Sequence, residues 1–576
     1  MRRIVLAVVL AMTLTLAVAC GADPSPTERF AEALSNRDLD AAAALTDDPA
    51  AARGALTDSF DGMGGAKVEV TVANDDGTEL SWKWSLPRSR SIEYSTAVSE
   101  TGGTVRWSLQ SVHRDLKDGG RLLYTDDKTY DVPVADRHNR PLLTWQEVTV
   151  VSLDPRSAES ARSLAAKLEP VAPTITERSI RADLKAAKAP VAVVALRSAD
   201  AKKVGSLARI AGVETRTEGR LLTASKSLRS PAVDGLEEKW RESIDAAAGA
   251  TVLLVDGIGK PTGQVQRFVG TSPNPVETTL DVQVQQAANA AVAAEGRPAM
   301  VVAIRPSTGG ILAVAQNKAA DKQGPIALTG LYPPGSTFKT ITTAAALRAR
   351  MVEPDSTLRC PGKQRFGDRV IPNDDEFDLG TVPLHVAFAR SCNTTMAALS
   401  TKLGDTALTD TARMFGLGVD YQIPGLTTIT GSVPAAQSAA QKVESGIGQG
   451  QVTASPFGMA LVEASLAARR TVTPTLIQGV GTGENAQPQD IPADVASALR
   501  SMMSEVVTAG TATALRDIPG LGGKTGTAEF GDDSGSHGWF AGISGDLAFA
   551  TLVVGGGSSS PALKVTGEFL RAVDGT

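Results

Sequence analysis

Histidine and cysteine are scarce in this chain of 576 residues, which has four histidines and three cysteines. The histidines lie far apart in sequence and lack the spacing of metal ligands, which disfavours a zinc site or a histidine-based catalytic triad. They are His113, His138, His385 and His537.

An excess of positive charge is also absent, because 57 basic side chains are balanced by 63 acidic ones, for a formal net charge of −6. Without a positive field there is no electrostatic basis for binding phosphate backbones, so we expect no nucleic-acid partner. The remaining composition is that of a globular protein. A chain of this length is expected to divide into roughly three or four domains.

Long apolar runs are missing after residue 20, and the one before it is short. Met1-Arg2-Arg3 is followed by an apolar run from Ile4 to Ala19 and then by Cys20, the pattern of an export signal. The run is too short for a comfortable membrane-spanning helix. Ala17-Val18-Ala19-Cys20 resembles a bacterial lipoprotein cleavage box, which implies a signal peptide over 1–19 and a lipidated linker over 20–25.

Lipidation of Cys20 would place the protein outside the cytoplasm, anchored to the outer face of the bacterial cytoplasmic membrane. An ordinary signal peptide or an uncleaved anchor is the alternative. Only Cys360 and Cys392 then remain. In an exported protein they could pair, but we expect two small buried thiols, with the side chain of Cys392 pointing into the core.

A serine and a lysine carry the strongest chemical signal in the chain. Ser336 and Lys339 lie three residues apart, which on a helix places an oxygen nucleophile beside an amine base. Pro333, Pro334 and Gly335 come directly before them and should keep the backbone extended up to the helix. We therefore expect Ser336 in the first turn, where free N–H groups and the helix dipole favour an oxyanion.

Two further motifs follow in order, Ser391-Cys392-Asn393 and Lys524-Thr525-Gly526-Thr527. This ordered set resembles the penicillin-binding proteins, the acyl-serine transpeptidases that cross-link peptidoglycan. The resemblance covers residues 276–576, which implies a transpeptidase domain with a β-lactamase-like antiparallel sheet between helical layers. It includes Thr278 to Asp281, the hairpin Val301 to Ala313, Val506 to Ala512, and His537 to Phe540.

The resemblance implies a role for each motif residue. Ser336 would be the nucleophile and Lys339 its base, provided that burial and the charge of Lys524 lower the lysine pKa far below about 10.4. Ser391 would relay a proton to the leaving amine. The substrate-binding residues would be Asn393, Lys524, Thr525, Gly526 and Thr527, with the backbone N–H groups of Ser336 and Thr527 forming an oxyanion hole.

Two glycine-rich stretches do not match nucleotide-binding loops. Gly446-Ile447-Gly448-Gln449-Gly450 lacks the spacing of a dinucleotide loop, so we interpret it as a turn bordering the site. Gly555-Gly556-Gly557 lacks the Gly-Lys-Ser/Thr ending of a phosphate loop. No cofactor is implied.

The first half of the chain predicts two further α+β domains. A capping box from Ser25 to Glu28 begins an amphipathic helix over 25–46, and period-two strands follow at Val68–Val72, Leu80–Leu86 and Val105–Leu109. Residues 26–134 resemble the N-terminal domain of methicillin-resistance-type penicillin-binding proteins, which has a nuclear-transport-factor-2-like (NTF2-like) fold. Residues 135–275 resemble the pedestal, or dimerisation, domain of class B members.

These features together predict a multidomain α+β class B penicillin-binding protein that acts as a peptidoglycan D,D-transpeptidase. Its partners would be stem peptides, β-lactams, a glycosyltransferase, and the membrane through the N-terminal lipid. A D,D-carboxypeptidase or β-lactamase-type hydrolase is one alternative, although no Glu-x-x-Leu-Asn motif lies between Asn393 and Lys524. A non-catalytic penicillin-binding scaffold or sensor is the other.

Overall fold

The structure is a computed structural model that describes residues 23–530 and 535–574. Cys20 and the predicted signal peptide lie outside the described residues. Within those two ranges, no helix is both long enough and apolar enough to span a bilayer.

The described residues form both helices and strands, numbered in chain order. The helices are α1 Pro26–Ser35, α2 Leu39–Ala44, α3 Pro49–Gly62, α4 Ala161–Leu168, α5 Glu177–Leu184, α6 Ser198–Val204, α7 Leu236–Ala247, α8 Val282–Ala293, α9 Lys318–Asp321, α10 Ile326–Thr329, α11 Lys339–Arg348, α12 Leu384–Ala389, α13 Asn393–Lys402, α14 Ala407–Met414, α15 Ala439–Gly446, α16 Pro456–Ala468, α17 Ala493–Thr508 and α18 Ser560–Asp574. The strands are β1 Lys67–Val72, β2 Glu79–Leu86, β3 Arg90–Ala97, β4 Glu100–Thr101, β5 Thr104–Val105, β6 Arg121–Asp127, β7 Val134–Ala135, β8 Pro141–Leu153, β9 Val191–Arg197, β10 Val213–Thr223, β11 Gly249–Val255, β12 Pro261–Phe268, β13 Val276–Glu277, β14 Ala299–Ile304, β15 Ile311–Gln316, β16 Thr357–Cys360, β17 Lys363–Phe366, β18 Arg369–Pro372, β19 Gly380–Pro383, β20 Tyr421–Gln422, β21 Gly431–Ser432, β22 Thr453–Ala454, β23 Gly483–Glu484, β24 Gly522–Phe530, β25 Gly535–Ser544 and β26 Leu547–Val553.

One compact unit contains residues 23–129 together with 245–273. Its first helix begins with the predicted capping box, in which Ser25 and Glu28 bond reciprocally to each other's backbone N–H. The predicted helix over 25–46 is two helices, α1 and α2. Trp82 and Trp84 alternate with more exposed residues along β2 and are fully buried in the core of this unit.

The third strand of this unit is not where the sequence pattern placed it. The antiparallel sheet runs β1-β2-β3, and its third strand is Arg90–Ala97. The predicted strand Val105–Leu109 is therefore wrong, because Val105 ends the short strand β5 and Leu109 begins a 3₁₀ turn. β3 lies outside the predicted strands, although Ile92, Tyr94 and Thr96 alternate along it with more exposed residues.

The second compact unit contains residues 130–244 and 274–574 of the described chain. In its first part the long strand β8 pairs with β10 along one edge and with β9 along the other. Leu164 of α4, Ile180 of α5 and Leu196 of β9 meet in one apolar cluster.

The larger part of this unit is built on an antiparallel sheet with the order β15-β14-β26-β25-β24. Every residue of β14 and β26 is buried, so packed elements cover both faces of the sheet, as predicted for a sheet between helical layers. Helices α8, α16 and α18 supply much of this packing. The edge strand β24 carries Lys524 to Thr527.

Helix α16 contains a buried acid. Glu463 is fully buried, and neither of its carboxylate oxygens has a hydrogen-bond partner. Burial raises the pKa of this carboxyl group to about 8. The group is therefore protonated in the folded protein at neutral pH, whereas in the unfolded chain it ionises near pH 4.5.

We expect this acid to reduce stability as pH rises. A folded-state pKa above the unfolded value makes the free energy of unfolding fall between about pH 4.5 and 8, by ~5 kcal/mol in total. Glu463→Gln should remove this pH dependence, and Glu463→Met should also remove the cost of a buried polar group. Calorimetric unfolding of the wild type and the two variants between pH 5 and 8 measures how the stability of each depends on pH. An unchanged pH slope in the glutamine variant would contradict it.

The two cysteines of the described chain form a disulfide. Cys360 at the end of β16 and Cys392 before α13 are fully buried, and their Cα atoms are 6.1 Å apart. Our expectation of two free thiols is wrong. The side chain of Cys392 does point into the core, but β16 lies beside the start of α13, a long-range contact that the sequence gives no means of seeing.

Removing this disulfide should destabilise the protein. The bond closes a loop between residues separated by 32 positions, which constrains the unfolded chain by ~3.5 kcal/mol on the chain-entropy estimate. We expect the Cys360→Ala/Cys392→Ala variant to unfold at a correspondingly lower denaturant concentration. A reductant should lower the midpoint of the wild type and leave that of the variant unchanged. Two titratable thiols in the denatured, unreduced wild type would instead contradict the pairing.

Candidate active site

The turn that carries Ser336 is fixed by close backbone contacts. Gly335–Phe338 forms a 3₁₀ turn that leads directly into α11, so Ser336 lies one turn before Lys339 rather than in the α-helix itself. Gly335 has φ +51°, and a Cβ added there would lie 2.5 Å from the carbonyl oxygen of Thr527. Only glycine permits both the conformation and this approach of the turn to β24.

Two neighbouring segments hold this turn. The N–H of Gly335 donates to the carbonyl oxygen of Gly448 at 2.9 Å, so the 446–450 loop borders the turn, as predicted. On the other side, a Cβ on Gly526 would lie 2.9 Å from the carbonyl oxygen of Pro334. Gly526 thus lets β24 pack against the turn.

The hydroxyl of Ser336 is half-buried. Within the part of the chain that the structure describes, it makes no hydrogen bond, so it is available to an incoming group.

Lys339 is fully buried and has three oxygen partners from the Ser-Cys-Asn motif. Its Nζ donates to the carbonyl oxygen of Ser391 at 2.7 Å, to Ser391 Oγ at 3.1 Å and to Asn393 Oδ1 at 2.5 Å. Ser391 has φ +63°, a left-handed conformation that costs energy for a serine. The start of α13 therefore holds the lysine head group in one place.

Lys524 approaches Ser391 from β24. Its Nζ donates to Ser391 Oγ at 2.9 Å and to the carbonyl oxygen of Thr525 at 3.1 Å. The Ser391 hydroxyl thus lies between two amine nitrogens, at 3.1 Å from Lys339 and 2.9 Å from Lys524. This chain of contacts can pass a proton from one lysine toward the other by way of the hydroxyl.

The two buried amines are poor sites for positive charge. Burial, and secondly the charge of Lys524, hold the pKa of Lys339 well below its ordinary value, with Asp374 acting weakly in the opposite direction. Burial lowers the pKa of Lys524 to about 7. Lys339 is therefore able to be neutral at physiological pH, as a general base must be.

The two threonines of the Lys-Thr-Gly-Thr motif lie on β24, opposite β25. Thr525 faces Phe540 and Thr527 faces Gly538 in the antiparallel register. The Thr525 hydroxyl is 2.6 Å from that of Thr511, in the loop that follows α17. An amine and two hydroxyls on one strand are suited to binding a carboxylate.

Lys339, Ser391, Asn393 and Lys524 form one contiguous hydrogen-bonded group, and the Ser336 turn packs on the strand that carries Thr525, Gly526 and Thr527. Thr511, which contacts Thr525, and Asn373, which contacts Asn393, are not among the predicted site residues. Thr511 lies in the 506–512 stretch, which belongs to the resemblance. No local sequence pattern distinguishes Asn373 from other asparagines. The described ranges contain no group of three or more histidine, cysteine or acidic residues placed to hold a metal ion.

Comparisons with known proteins match the half of the chain that holds this group. Residues 299–573 match the family described as "Penicillin binding protein transpeptidase domain". The chain is 32% identical to peptidoglycan D,D-transpeptidase PbpA of Mycobacterium tuberculosis, over 53% of this chain and 72% of that protein. It is 24% identical to peptidoglycan D,D-transpeptidase MrdA of Acinetobacter baumannii, over 57% of this chain and 55% of that one.

One solved structure extends the similarity in fold. Penicillin-binding protein PBP2, from a complex with MreC of Helicobacter pylori, aligns with a TM-score of 0.57 at 16% identity. The alignment covers 79% of this chain and 99% of the other. At this identity, the match concerns the fold alone.

Proposed function

Because the chain belongs to the class B penicillin-binding proteins, the peptidoglycan D,D-transpeptidases, we propose that Ser336 forms the acyl-enzyme by which stem peptides are cross-linked. The buried amine of Lys339, which is hydrogen-bonded to Ser391 and lies one turn after Ser336, is the observation that carries this proposal. A β-lactam would acylate the same oxygen.

Acylation begins with removal of the Ser336 proton. Neutral Lys339 accepts it, and Ser336 Oγ bonds to the carbonyl carbon of the penultimate D-Ala of a stem peptide. The resulting oxyanion is stabilised by the backbone N–H groups of Ser336 and Thr527, each typically worth about 3 kcal/mol. When the C–N bond breaks, Ser391 passes a proton to the leaving nitrogen and the terminal D-Ala departs.

Deacylation repeats the steps in reverse with a new nucleophile. An amine of a neighbouring stem attacks the ester carbonyl and gives up a proton through Ser391 to Lys339, which returns it to Ser336 Oγ as the C–O bond breaks. With a β-lactam, the amide that breaks is part of the ring, so the leaving nitrogen stays attached to the acyl group and blocks the incoming amine.

Substrate recognition is assigned to α13 and β24. Lys524, Thr525 and Thr527 would bind the terminal carboxylate of the donor stem, with Gly526 allowing the strand to approach the nucleophile. Asn393 would hold an amide of the substrate through its side chain. The pairing of an amine with two hydroxyls on β24 supports this assignment.

A turnover assay distinguishes this function from its alternatives. Nascent glycan made from lipid II is incubated with the full chain, and the muropeptides are separated by mass. A transpeptidase yields cross-linked dimers with release of D-Ala. Trimmed monomers without dimers would indicate a carboxypeptidase, and unchanged stems would indicate a scaffold. Either of those results would refute the proposal.

We further propose that the protein is a lipoprotein on the outer face of the cytoplasmic membrane, with an NTF2-like N-terminal domain as spacer and a glycosyltransferase as partner. The cleavage box at Cys20 and the order of helices followed by an antiparallel sheet support this. Mass spectrometry of the mature protein should find a diacylated Cys20 at its N-terminus. An unmodified Cys20 would contradict the lipid anchor.

A further inference from the structure

A buried asparagine lies directly behind the Ser-Cys-Asn motif. Asn373 follows β18, is 2% exposed, and lies far from the motif in sequence. Its Oδ1 accepts hydrogen bonds from the backbone N–H groups of Asn393 at 2.9 Å and Thr394 at 3.1 Å. These are the first two residues of α13.

Helix α13 has no capping side chain of its own. The first four N–H groups of any helix lack partners inside it, and the residue before the helix usually caps one of them. Here that residue is Cys392, whose side chain makes no capping hydrogen bond and is held by the disulfide to Cys360. Asn373 supplies the missing acceptor from another segment of the chain.

The hydrogen-bond network fixes the orientation of the Asn373 amide. Its Nδ2 donates to the carbonyl oxygens of Pro361 at 2.9 Å and Phe377 at 2.8 Å. Because two carbonyls face the nitrogen and two N–H groups face the oxygen, a flipped amide would lose all four bonds. The side chain is thus a rigid link between the 361–377 segment and α13.

The residue before it orients the side chain of Asn393. The carbonyl oxygen of Pro372 accepts from Asn393 Nδ2 at 2.9 Å, which directs Asn393 Oδ1 toward Lys339 Nζ, 2.5 Å away. Residues 372 and 373 therefore hold Asn393 by both its side chain and its backbone. Ser391, two residues earlier, has the strained left-handed backbone, and its hydroxyl contacts both lysines.

We propose that Asn373 is a positioning residue for acyl transfer, which holds Ser391 and Asn393 against Lys339 by capping α13 from outside the helix. This inference rests on the proposed function, because it assigns the residue to the same acylation step. Asn373 touches neither the substrate nor the reacting oxygen, and acts only through the motif.

The test measures the binding of penicillin and the acylation that follows as two separate constants. Stopped-flow labelling with fluorescent penicillin gives k2, the first-order rate of acylation, and Kd, the dissociation constant of the complex that precedes it. We expect Asn373→Ala to lower k2 by about 100-fold, the cost of a small misplacement of catalytic groups, with Kd changed less than about 3-fold. Because k2 is measured on the folded fraction, a partly unfolded preparation still reports it.

A second buried asparagine of the same domain provides the matched control. Asn317 is 7% exposed, its Oδ1 accepts from the N–H of Ala320 at the start of α9, and its Nδ2 donates to the carbonyl oxygens of Glu295 and Arg297. Asn317→Ala should lower the unfolding temperature comparably to Asn373→Ala while keeping k2 within about 3-fold of wild type. Equal losses of k2 in both variants would overturn the proposal, because the effect would then be one of general stability.

A conservative variant tests the capping role itself. Asn373→Asp keeps an oxygen for the two N–H groups of α13 and, when protonated, donates to one of the carbonyl oxygens of Pro361 and Phe377, so it should recover at least about 10-fold of the k2 lost in the alanine variant. No recovery in a folded aspartate variant would overturn the proposal. An unreactive wild type would instead overturn the proposed function, which separates the two failures.

Discussion

Ser336→Ala is expected to abolish covalent labelling by fluorescent penicillin. The acyl group must be carried by an oxygen, and the Ser336 hydroxyl is the one placed one turn before buried Lys339 and against β24. Loss of a nucleophile in a serine acyl-transfer site typically costs at least about 10⁴-fold in rate, which puts labelling below detection. Gel fluorescence after incubation with the labelled penicillin measures this.

A serine outside the site serves as the control. Ser307 lies in the turn between β14 and β15 and donates a hydrogen bond to Asp546. Ser307→Ala should label at the wild-type rate. Labelling of Ser336→Ala at more than a trace of the wild-type rate would show that another residue is the nucleophile.

Lys339→Met is expected to reduce acylation by at least about 10³-fold. Methionine keeps much of the length and packing of a fully buried side chain, so the change removes mainly the amine that would accept the Ser336 proton. Lys339→Arg should be similarly inactive, because a guanidinium stays protonated and cannot act as a base. The second-order rate constant for penicillin acylation measures both variants.

The pH dependence of the wild type follows from the same argument. The pKa of Lys339 is held well below its ordinary value by burial and by Lys524, and only the neutral amine accepts a proton. Acylation should therefore fall as pH drops through this lowered pKa. Lys402→Met, at an exposed position at the end of α13, should keep both the rate and the pH profile. A Lys339→Met variant that acylates within about 10-fold of wild type would contradict the assignment of the base.

The parts of the site that could be predicted are those formed by residues of short sequence motifs. The spacing of Ser336 and Lys339 places them on successive turns by local geometry alone. The order of the other two motifs indicated that Ser391 and Lys524 would join them, and both amines do contact the Ser391 hydroxyl. The need for a lysine with a lowered pKa follows from the chemistry alone, because a charged amine cannot accept a proton.

The parts that could not be predicted depend on contacts between distant segments. The pairing of Cys360 with Cys392 and the capping of α13 by Asn373 both require that the 357–377 segment lie behind the motif. Neither the two cysteines nor Asn373 belongs to a periodic sequence pattern or to a motif of characteristic spacing. The unpaired state of Glu463 could not be predicted for a related reason. The sequence places this acid in an apolar helix, but only the surrounding structure shows that its carboxyl group has no hydrogen-bond partner.

Peptide mapping by tandem mass spectrometry, after the full chain is incubated with a β-lactam, tests the central assignment most directly. We expect one adduct of the mass of the intact antibiotic, attached to the side chain of Ser336. An adduct on any other residue, or an unmodified Ser336 in a folded protein under saturating antibiotic, would contradict it.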